Sequence, residues 1–303
     1  MTCDMTINFH ANYSVKTCFH LVHIWSRLVP EATQGAATCT RNHPQAHRAR
    51  GLGQNRWPCR LPGVQPHGQD VYVPPSPSSH PHSPEPLLLQ QLPLFPLQTV
   101  LFPGGWLPLR IFEVRYLDMI KRCHQAGAPF GVVCLSEGTE VRRADPAAPP
   151  GGDGFAREVF HPVGTLARIE SLDRPQPGLM MVRCQGLQRF EVTARRQLPH
   201  GLWVGDVKLF AADPAVPVIE PLLPVRQALQ RLLESLQERD PDSLANLPLQ
   251  PPYQWDDSGW VANRWLELLP VPNDIKLRLM ALDNPLVRLE LVADLLEKLN
   301  LKI

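Results

Sequence analysis

Two groups of residues in this sequence have types and spacings that could support chemistry, and the first is a candidate metal site. Cys39, His43 and His47 lie four residues apart, which would put three ligands on one face of a helix. Pro44 lies inside that helix, and no second ligand pair follows at the spacing of a zinc site. We therefore expect no metal and no cofactor, and interpret the pattern as part of a His-rich tail.

The second group is the charged pair Glu113 and Arg115, followed by Tyr116. A buried Glu–Arg pair could act in catalysis, but the sequence fixes no third polar residue beside it. Glu113 is predicted to lie in the first turn of a helix, where the positive end of the helix dipole favours a carboxylate. We interpret the pair as structural and expect no catalytic residues.

Composition sets broad limits on what the 303-residue chain can bind. Its formal net charge is +1, which divides into +3 for residues 1–88 (seven Lys and Arg against four Asp and Glu) and −2 for residues 89–303 (23 against 25). Neither value indicates a nucleic-acid or anionic-lipid partner. No apolar stretch approaches the roughly 20 residues that cross a bilayer. The seven cysteines are scattered without CxxC spacing, which favours free thiols and a cytoplasmic location.

Residues 1–87 differ in character from the rest of the chain. They hold eight of the eleven histidines and Pro-rich stretches such as residues 73–81, and they show no apolar period of 3.6 or 2. Such a composition predicts a disordered extension. An alternative is an over-long translation with the true start near residues 71–89, which the intact mass of the native protein would test.

From residue 88 onward, short apolar runs alternate with turn residues and predict seven half-buried strands with one helix after the second. In residues 189–195, for example, Phe190 and Val192 share one face while Arg189 and Glu191 share the other. A small antiparallel barrel is expected, with an exposed loop at residues 145–154. The predicted strands are 92–99, 106–112, 130–135, 164–172, 179–184, 189–195 and 202–210.

After residue 213 the apolar period becomes helical and predicts four helices. The first has an apolar stripe of leucines and runs to about Glu238, and the third spans residues 272–282. Asp257 or Ser258 can cap the second, and Asn284 followed by Pro285 is a favourable start for the fourth. The predicted class is α+β, with a barrel at 88–212 and a helical bundle at 213–303.

The prolines, glycine and apolar residues of the stretch 92–116 predict local structure on physical grounds. Pro93 and Pro96 donate no ladder hydrogen bond, so their strand is expected at an edge or across the barrel mouth. Pro103 and Gly104 predict a tight turn, and the strand that follows is expected to bury its last residues, Ile111 and Phe112. The wider pattern, mainly structural, comprises Pro93, Phe95, Pro96, Leu97, Phe102, Pro103, Gly104, Pro108, Leu109, Ile111, Phe112, Glu113, Arg115, Tyr116, Gly164, Ile169, Gly186, Arg189 and Phe190.

The stretch 92–116 resembles the opening of the substrate-binding domain of Lon-type proteases. The later strand segments that contain Gly164 and Gly186 resemble strands of the same family and follow in the same order. The resemblance covers about 215 residues and implies a PUA-like β-barrel followed by a helical bundle. It also implies binding of unfolded or degron-bearing polypeptides. The chain has no GxxxxGK[ST] loop and no Ser–Lys protease surroundings, so we expect a stand-alone, non-enzymatic copy of the domain.

Two functions remain open. The first is a polypeptide-binding adaptor, regulator or holdase, which could serve a separate ATP-dependent protease through an apolar patch on the barrel or at its junction with the helices. Candidate contacts, each also a candidate core residue, are Trp106, Phe130, Trp203 and Trp255. The alternative is RNA binding, as in other PUA-like barrels, for which the supporting residues are Arg183, Arg189, Arg195, Arg196 and Phe190.

Overall fold

A computed structural model describes residues 87–141, 143–145, 154–239 and 249–301. The predicted extension with Cys39, His43 and His47, and residues 146–153 of the predicted loop, lie outside the described residues. The six strands are β1 (Leu88–Leu97), β2 (Trp106–Ile111), β3 (Phe130–Glu137), β4 (Val159–Gln176), β5 (Leu179–Gln197) and β6 (Trp203–Leu209).

Five of the strands close into a ring, in the order β1, β3, β4, β5, β6 and back to β1. Strand β2 pairs with the first part of β5, from Met180 to Gln185. The predicted barrel of an α+β protein is thereby confirmed, with two corrections. The predicted strands 179–184 and 189–195 form one strand, β5, because pairing with β4 continues through Gly186. The sheet is mixed, since β1 and β3 are parallel. Helix α1 (Val114–Ala126) lies in the crossover that a parallel pair requires.

The prolines of β1 lie within the ring, so the predicted edge position is wrong. Pro93 pairs with Val204 of β6, whereas Pro96 pairs with Val133 of β3. Only Leu94 pairs on both sides, because β1 changes partner along its length. Each proline therefore lies where a single neighbouring strand is paired, and a missing donor is tolerated there.

Four α-helices follow the barrel among the described residues: α2 (Leu223–Arg239), α3 (Ser258–Leu268), α4 (Asn273–Met280) and α5 (Pro285–Lys298). Two predicted caps are confirmed. The Asp257 carboxylate accepts the Trp260 backbone N–H at 2.6 Å, and the Asn284 side chain accepts from Leu286 and Val287. Within the described part of the chain, no helix is both long and apolar enough to cross a membrane.

One apolar core joins the helices to the barrel. It combines leucines of α2 and α5 with Trp265 of α3 and with three residues of the barrel side, Val100, Phe102 and Cys134. A second core fills the barrel end beneath α1, and a third surrounds Phe190. The surface between barrel and helices is therefore a packed interface, and polar groups trapped there need internal partners.

Two glycines of the barrel are expected to tolerate alanine differently. A Cβ on Gly164 would lie 2.4 Å from the Val132 carbonyl oxygen, which is fixed backbone, whereas a Cβ on Gly131 would meet side-chain atoms of Leu92, Leu94 and Phe190 at 2.7–2.9 Å. Gly164→Ala should lower the free energy of unfolding by about 3 kcal/mol and Gly131→Ala by less, since side chains can shift. Urea unfolding of the two variants measures the order, and the reverse order would contradict this packing.

Candidate functional site

A groove opens where the barrel meets the helices, with a volume of about 370 Å³. We call it the junction groove. Its apolar walls are tryptophan and proline rings, and its polar groups are mostly side-chain amides. The lining residues are Pro103, Gly104, Trp106, Gln185, Asp213, Ala215, Gln250, Pro251, Pro252, Gln254, Asp257, Gly259, Trp260 and Asn263.

The two tryptophans of the groove are each fixed by side chains that pack against their rings. Trp106 begins β2, and the guanidinium of Arg183 stacks 4.6 Å from its ring centre. The ring of Trp260, in the first turn of α3, packs edge-on against the ring of Trp255, with 5.0 Å between the ring centres. The centre of the Tyr253 ring lies 6.2 Å from that of Trp260. Fixed aromatic walls lose little conformational freedom when a ligand arrives, which favours binding.

The polar base of the groove is an arginine–carboxylate network around Asp213. Its carboxylate accepts from Arg189 of β5 at 2.7 Å and from Arg288 of α5 at 2.6 Å. Both arginines are buried, and both also donate to backbone carbonyls at the end of α4. Arg288 further donates to Asn263 at 3.1 Å. The network ties barrel, connecting segment and helices together beside the groove.

Gly104 brings a second buried network close to the groove. Its φ of +73° turns the backbone so that a Cβ would lie 3.5 Å from Arg264 of α3. Arg264 donates to the Pro103 carbonyl and to Glu267. Burial raises the pKa of Glu267 to about 8, although Arg264 opposes that rise. Burial also lowers the pKa of the neighbouring Lys276 to about 8.

A second cavity, of about 330 Å³, lies on the barrel beside Trp203 and Arg195. Glu158 accepts from the Trp203 indole at 2.7 Å and from Arg115 at 2.9 Å. Arg115 also binds Glu113 and the Gly201 carbonyl. Glu158 is the third polar residue that the sequence did not single out. All charges of this cluster are internally bonded, and its geometry is that of a structural clamp.

The structure corrects two details of the predicted signature. Glu113 is the N-cap residue of α1 and makes no capping hydrogen bond, so it does not lie in the first turn. Ile111 is buried, but Phe112 is 48% exposed. Most of the other apolar signature residues are in the core, as an architectural role requires.

The four candidate peptide contacts occupy different places. Trp106 lines the junction groove, and Trp255 supports its Trp260 wall. Trp203 lines the barrel cavity. Phe130 is 0% exposed, so it offers no contact surface and is corrected to a core residue. Sequence reasoning missed Asp213, Asn263 and Gln185, which carry no motif and meet only in the fold.

The arginines considered for RNA are not gathered on one surface. Arg189 is 2% exposed beneath the helices, and Phe190 is fully buried. Arg195 stacks on Phe160 at 4.5 Å, twelve residues along β5 from Arg183, or roughly 40 Å of extended strand. Among the residues that the structure describes, no three His, Cys, Asp or Glu side chains are placed to hold a metal ion.

Comparison with known proteins gives one consistent result. A family model described as the ATP-dependent protease La (LON) substrate-binding domain matches residues 91–298. The crystal structure of a Lon N-terminal domain protein from Xanthomonas campestris has a TM-score of 0.50 and 30% identity, covering 68% of this chain and 98% of that chain.

Two curated relatives match over a shorter stretch. Lon protease 4 of Sorangium cellulosum is 35% identical over 103 residues, which is 34% of this chain and 11% of the relative. The Lon protease of Flavobacterium johnsoniae is 29% identical over 102 residues, 33% of this chain and 11% of the relative. The chain thus spans about a tenth of the length of these proteins, and the matching family model is that of a substrate-binding domain.

Proposed function

The chain belongs to the LON substrate-binding domain family, and from this premise we propose that it binds unfolded polypeptide segments without chemically altering them, with the junction groove as the binding site. The observation that carries the proposal is the pair of fixed tryptophan walls beside side-chain amides. Aromatic and proline rings bury apolar side chains of many sequences, while amides can bond an extended backbone. Such a surface suits a receptor for varied clients.

The two described cavities differ in ways that favour the junction groove. The barrel cavity is bordered by Glu158 and Arg195, both already bonded within the protein. The junction groove instead presents exposed Gln254 and half-buried Gln185 and Trp106. A client can therefore bury apolar area there without breaking an ion pair.

The same proposal includes a more specific role for the domain. A domain that holds a segment without cleaving it can serve as an adaptor or regulator for a separate ATP-dependent protease, or as a holdase. Residues 88–212 would supply the barrel wall of the groove and residues 213–303 the helical wall. Client identity would then depend on both parts.

Trp106→Ala is expected to weaken binding of a fluorescently labelled, permanently unfolded reporter polypeptide by at least about tenfold, since an aromatic anchor dominates a small interface. Fluorescence anisotropy measures the dissociation constant. Phe112→Ala is the matched control, because it removes an exposed aromatic ring just after the same strand. Equal losses in both variants, or a loss confined to Trp203→Ala, would contradict the junction groove as the site.

A further inference from the structure

Strand β1 begins at the end of the barrel where β6 ends, and Asp213 of the junction groove follows four residues after Leu209. The Leu209 backbone N–H donates to the Leu87 carbonyl at 3.0 Å, and Leu88 pairs with Lys208 in the antiparallel β1–β6 ladder. In an antiparallel pair, the chain before one strand leaves on the same side as the chain after the other. The described chain therefore begins, at Leu87, on the side of the ladder on which residues 210–213 lie, and Asp213 lines the groove.

The sequence that immediately precedes the barrel has a composition suited to that groove. Residues 73–86 read VPPSPSSHPHSPEP, with six prolines and one carboxylate. Proline-rich segments favour the polyproline II helix, whose carbonyls have no internal partners and which aromatic-lined grooves bind at little entropic cost. The groove offers half-buried Trp106 and the 7% exposed edge of Trp260 as aromatic walls, and half-buried Gln185 and exposed Gln254 as amide donors.

The charge of the junction groove and the length of residues 73–86 are also compatible with binding of this segment in the groove. No Lys or Arg is among the described lining residues, and Asp213 and Asp257 are bonded within the protein. The Asp213 carboxylate is paired with Arg189 and Arg288, and Asp257 is bonded to a backbone N–H; the segment's prolines and serines carry no charge that either carboxylate would repel. Fourteen residues of polyproline II span roughly 43 Å, whereas Asp213 is four residues, or roughly 13 Å of chain, beyond Leu209.

We propose that residues 73–86 dock into the junction groove of their own chain and compete with incoming polypeptide. This inference rests on the proposed function of the groove and adds its regulation. A tethered segment acts at an effective concentration on the order of 1 mM. If its intrinsic dissociation constant is about 0.1 mM, competition raises the apparent dissociation constant of a client roughly tenfold.

The docking is tested in the full chain by placing a photo-crosslinking benzoylphenylalanine at Ser76 or at Ser79. Irradiation followed by digestion and mass spectrometry should recover intramolecular links to the peptides that contain Trp106 or Trp260. Links confined to other surfaces, links between two copies of the chain, or no link to the groove from either position would overturn the docking.

The competition is tested with two triple variants of the full chain. Replacing Pro74, Pro75 and Pro77 with Ser should lower the reporter's dissociation constant threefold to tenfold, while the same change at Pro58, Pro62 and Pro66 should leave it unchanged. Reporter binding that depends on Trp106 but is equal in wild type and both triples would overturn competition and leave the proposed function intact. Groove cross-links without reporter binding by any variant would instead overturn the proposed function, and the competition with it, while the docking would stand.

Discussion

Replacing Arg288 with Met is expected to lower the free energy of unfolding by about 3–5 kcal/mol. The side chain is 0% exposed and donates to Asp213, Asn263 and the carbonyls of Leu279 and Leu282. Met fills a similar volume but donates nothing, so Asn263 and the two backbone carbonyls lose a buried partner, and the Asp213 carboxylate, which is 18% exposed, loses a countercharge. Removing one member of a buried ion pair costs far more than the pair contributes in net stability.

Arg278→Met is the matched control for that experiment. The Arg278 side chain is 81% exposed and lies 3.7 Å from Asp274 in the same helix, so its loss should cost less than about 0.5 kcal/mol. Urea unfolding followed by tryptophan fluorescence measures both variants. Equal losses would contradict the interpretation that the Asp213 network holds the helices on the barrel.

Replacing Arg288 with Met is also expected to weaken polypeptide binding. When Arg288 is replaced, Asp213 is expected to keep its bond to Arg189, which is 2.7 Å in the wild type, but to lose the contact that holds the other side of its carboxylate. Because Asp213 lines the junction groove, the Arg288→Met protein should bind the reporter polypeptide more weakly even under conditions where it remains folded. Stability and binding thus depend on one interface.

Local sequence signals were sufficient for most of the elements. Asp257 and Asn284 mark their helix starts because a side-chain cap is a short-range interaction. The pairing of β1 with β3 could not be derived in the same way, because it joins residues almost forty positions apart through α1. The single long β5 was also missed, since Gly186 looks like a turn residue and is in fact a close-approach position, where a Cβ would lie 2.1 Å from the Phe102 carbonyl oxygen.

The candidate site was less predictable than the fold. Trp106 and Trp255 could be named because large aromatic residues are few, but their places around one groove depend on how helices dock on the barrel. The alternation in β5 put Arg189 opposite Phe190, which suggested a solvent-facing arginine. The helices cover that face, so both residues are buried, and Asp213 from an irregular segment supplies the countercharge.

Glu267 is placed where its protonation should influence stability. Its side chain is 6% exposed, a Cβ on Gly105 would lie 1.9 Å from its Oε1, and the Phe102 backbone N–H donates to it. Arg264 Nε lies 2.9 Å from its Oε2, yet neither atom makes a hydrogen bond of good angle. A second guanidinium nitrogen of Arg264 does donate to Glu267 Oε1 at 3.0 Å, but this bond and the attraction between the two charges only partly offset the loss of water around the carboxylate.

The pKa of Glu267, raised by burial from 4.5 to about 8, gives stability a definite pH dependence. Between those values the unfolded chain has released a proton that the folded chain retains, so this group's stabilising contribution is full below about pH 4.5 and is lost as pH rises toward 8. The pKa of Lys276, lowered by burial from 10.5 to about 8, acts in the opposite sense, because its contribution is full above 10.5 and is lost as pH falls toward 8.

Glu267→Gln isolates the carboxyl, since Gln has a similar shape and does not titrate. The free energy of unfolding of the wild type, minus that of Glu267→Gln, should fall by at least about 2 kcal/mol between pH 5 and pH 7.5, toward a limit of about 1.4 kcal/mol for each pH unit. Urea unfolding at four or five pH values measures this difference, in which Lys276 and other shared groups largely cancel. A difference that stays flat, or rises with pH, would mean that Arg264 holds the folded carboxylate ionised throughout this range and that burial does not control its protonation.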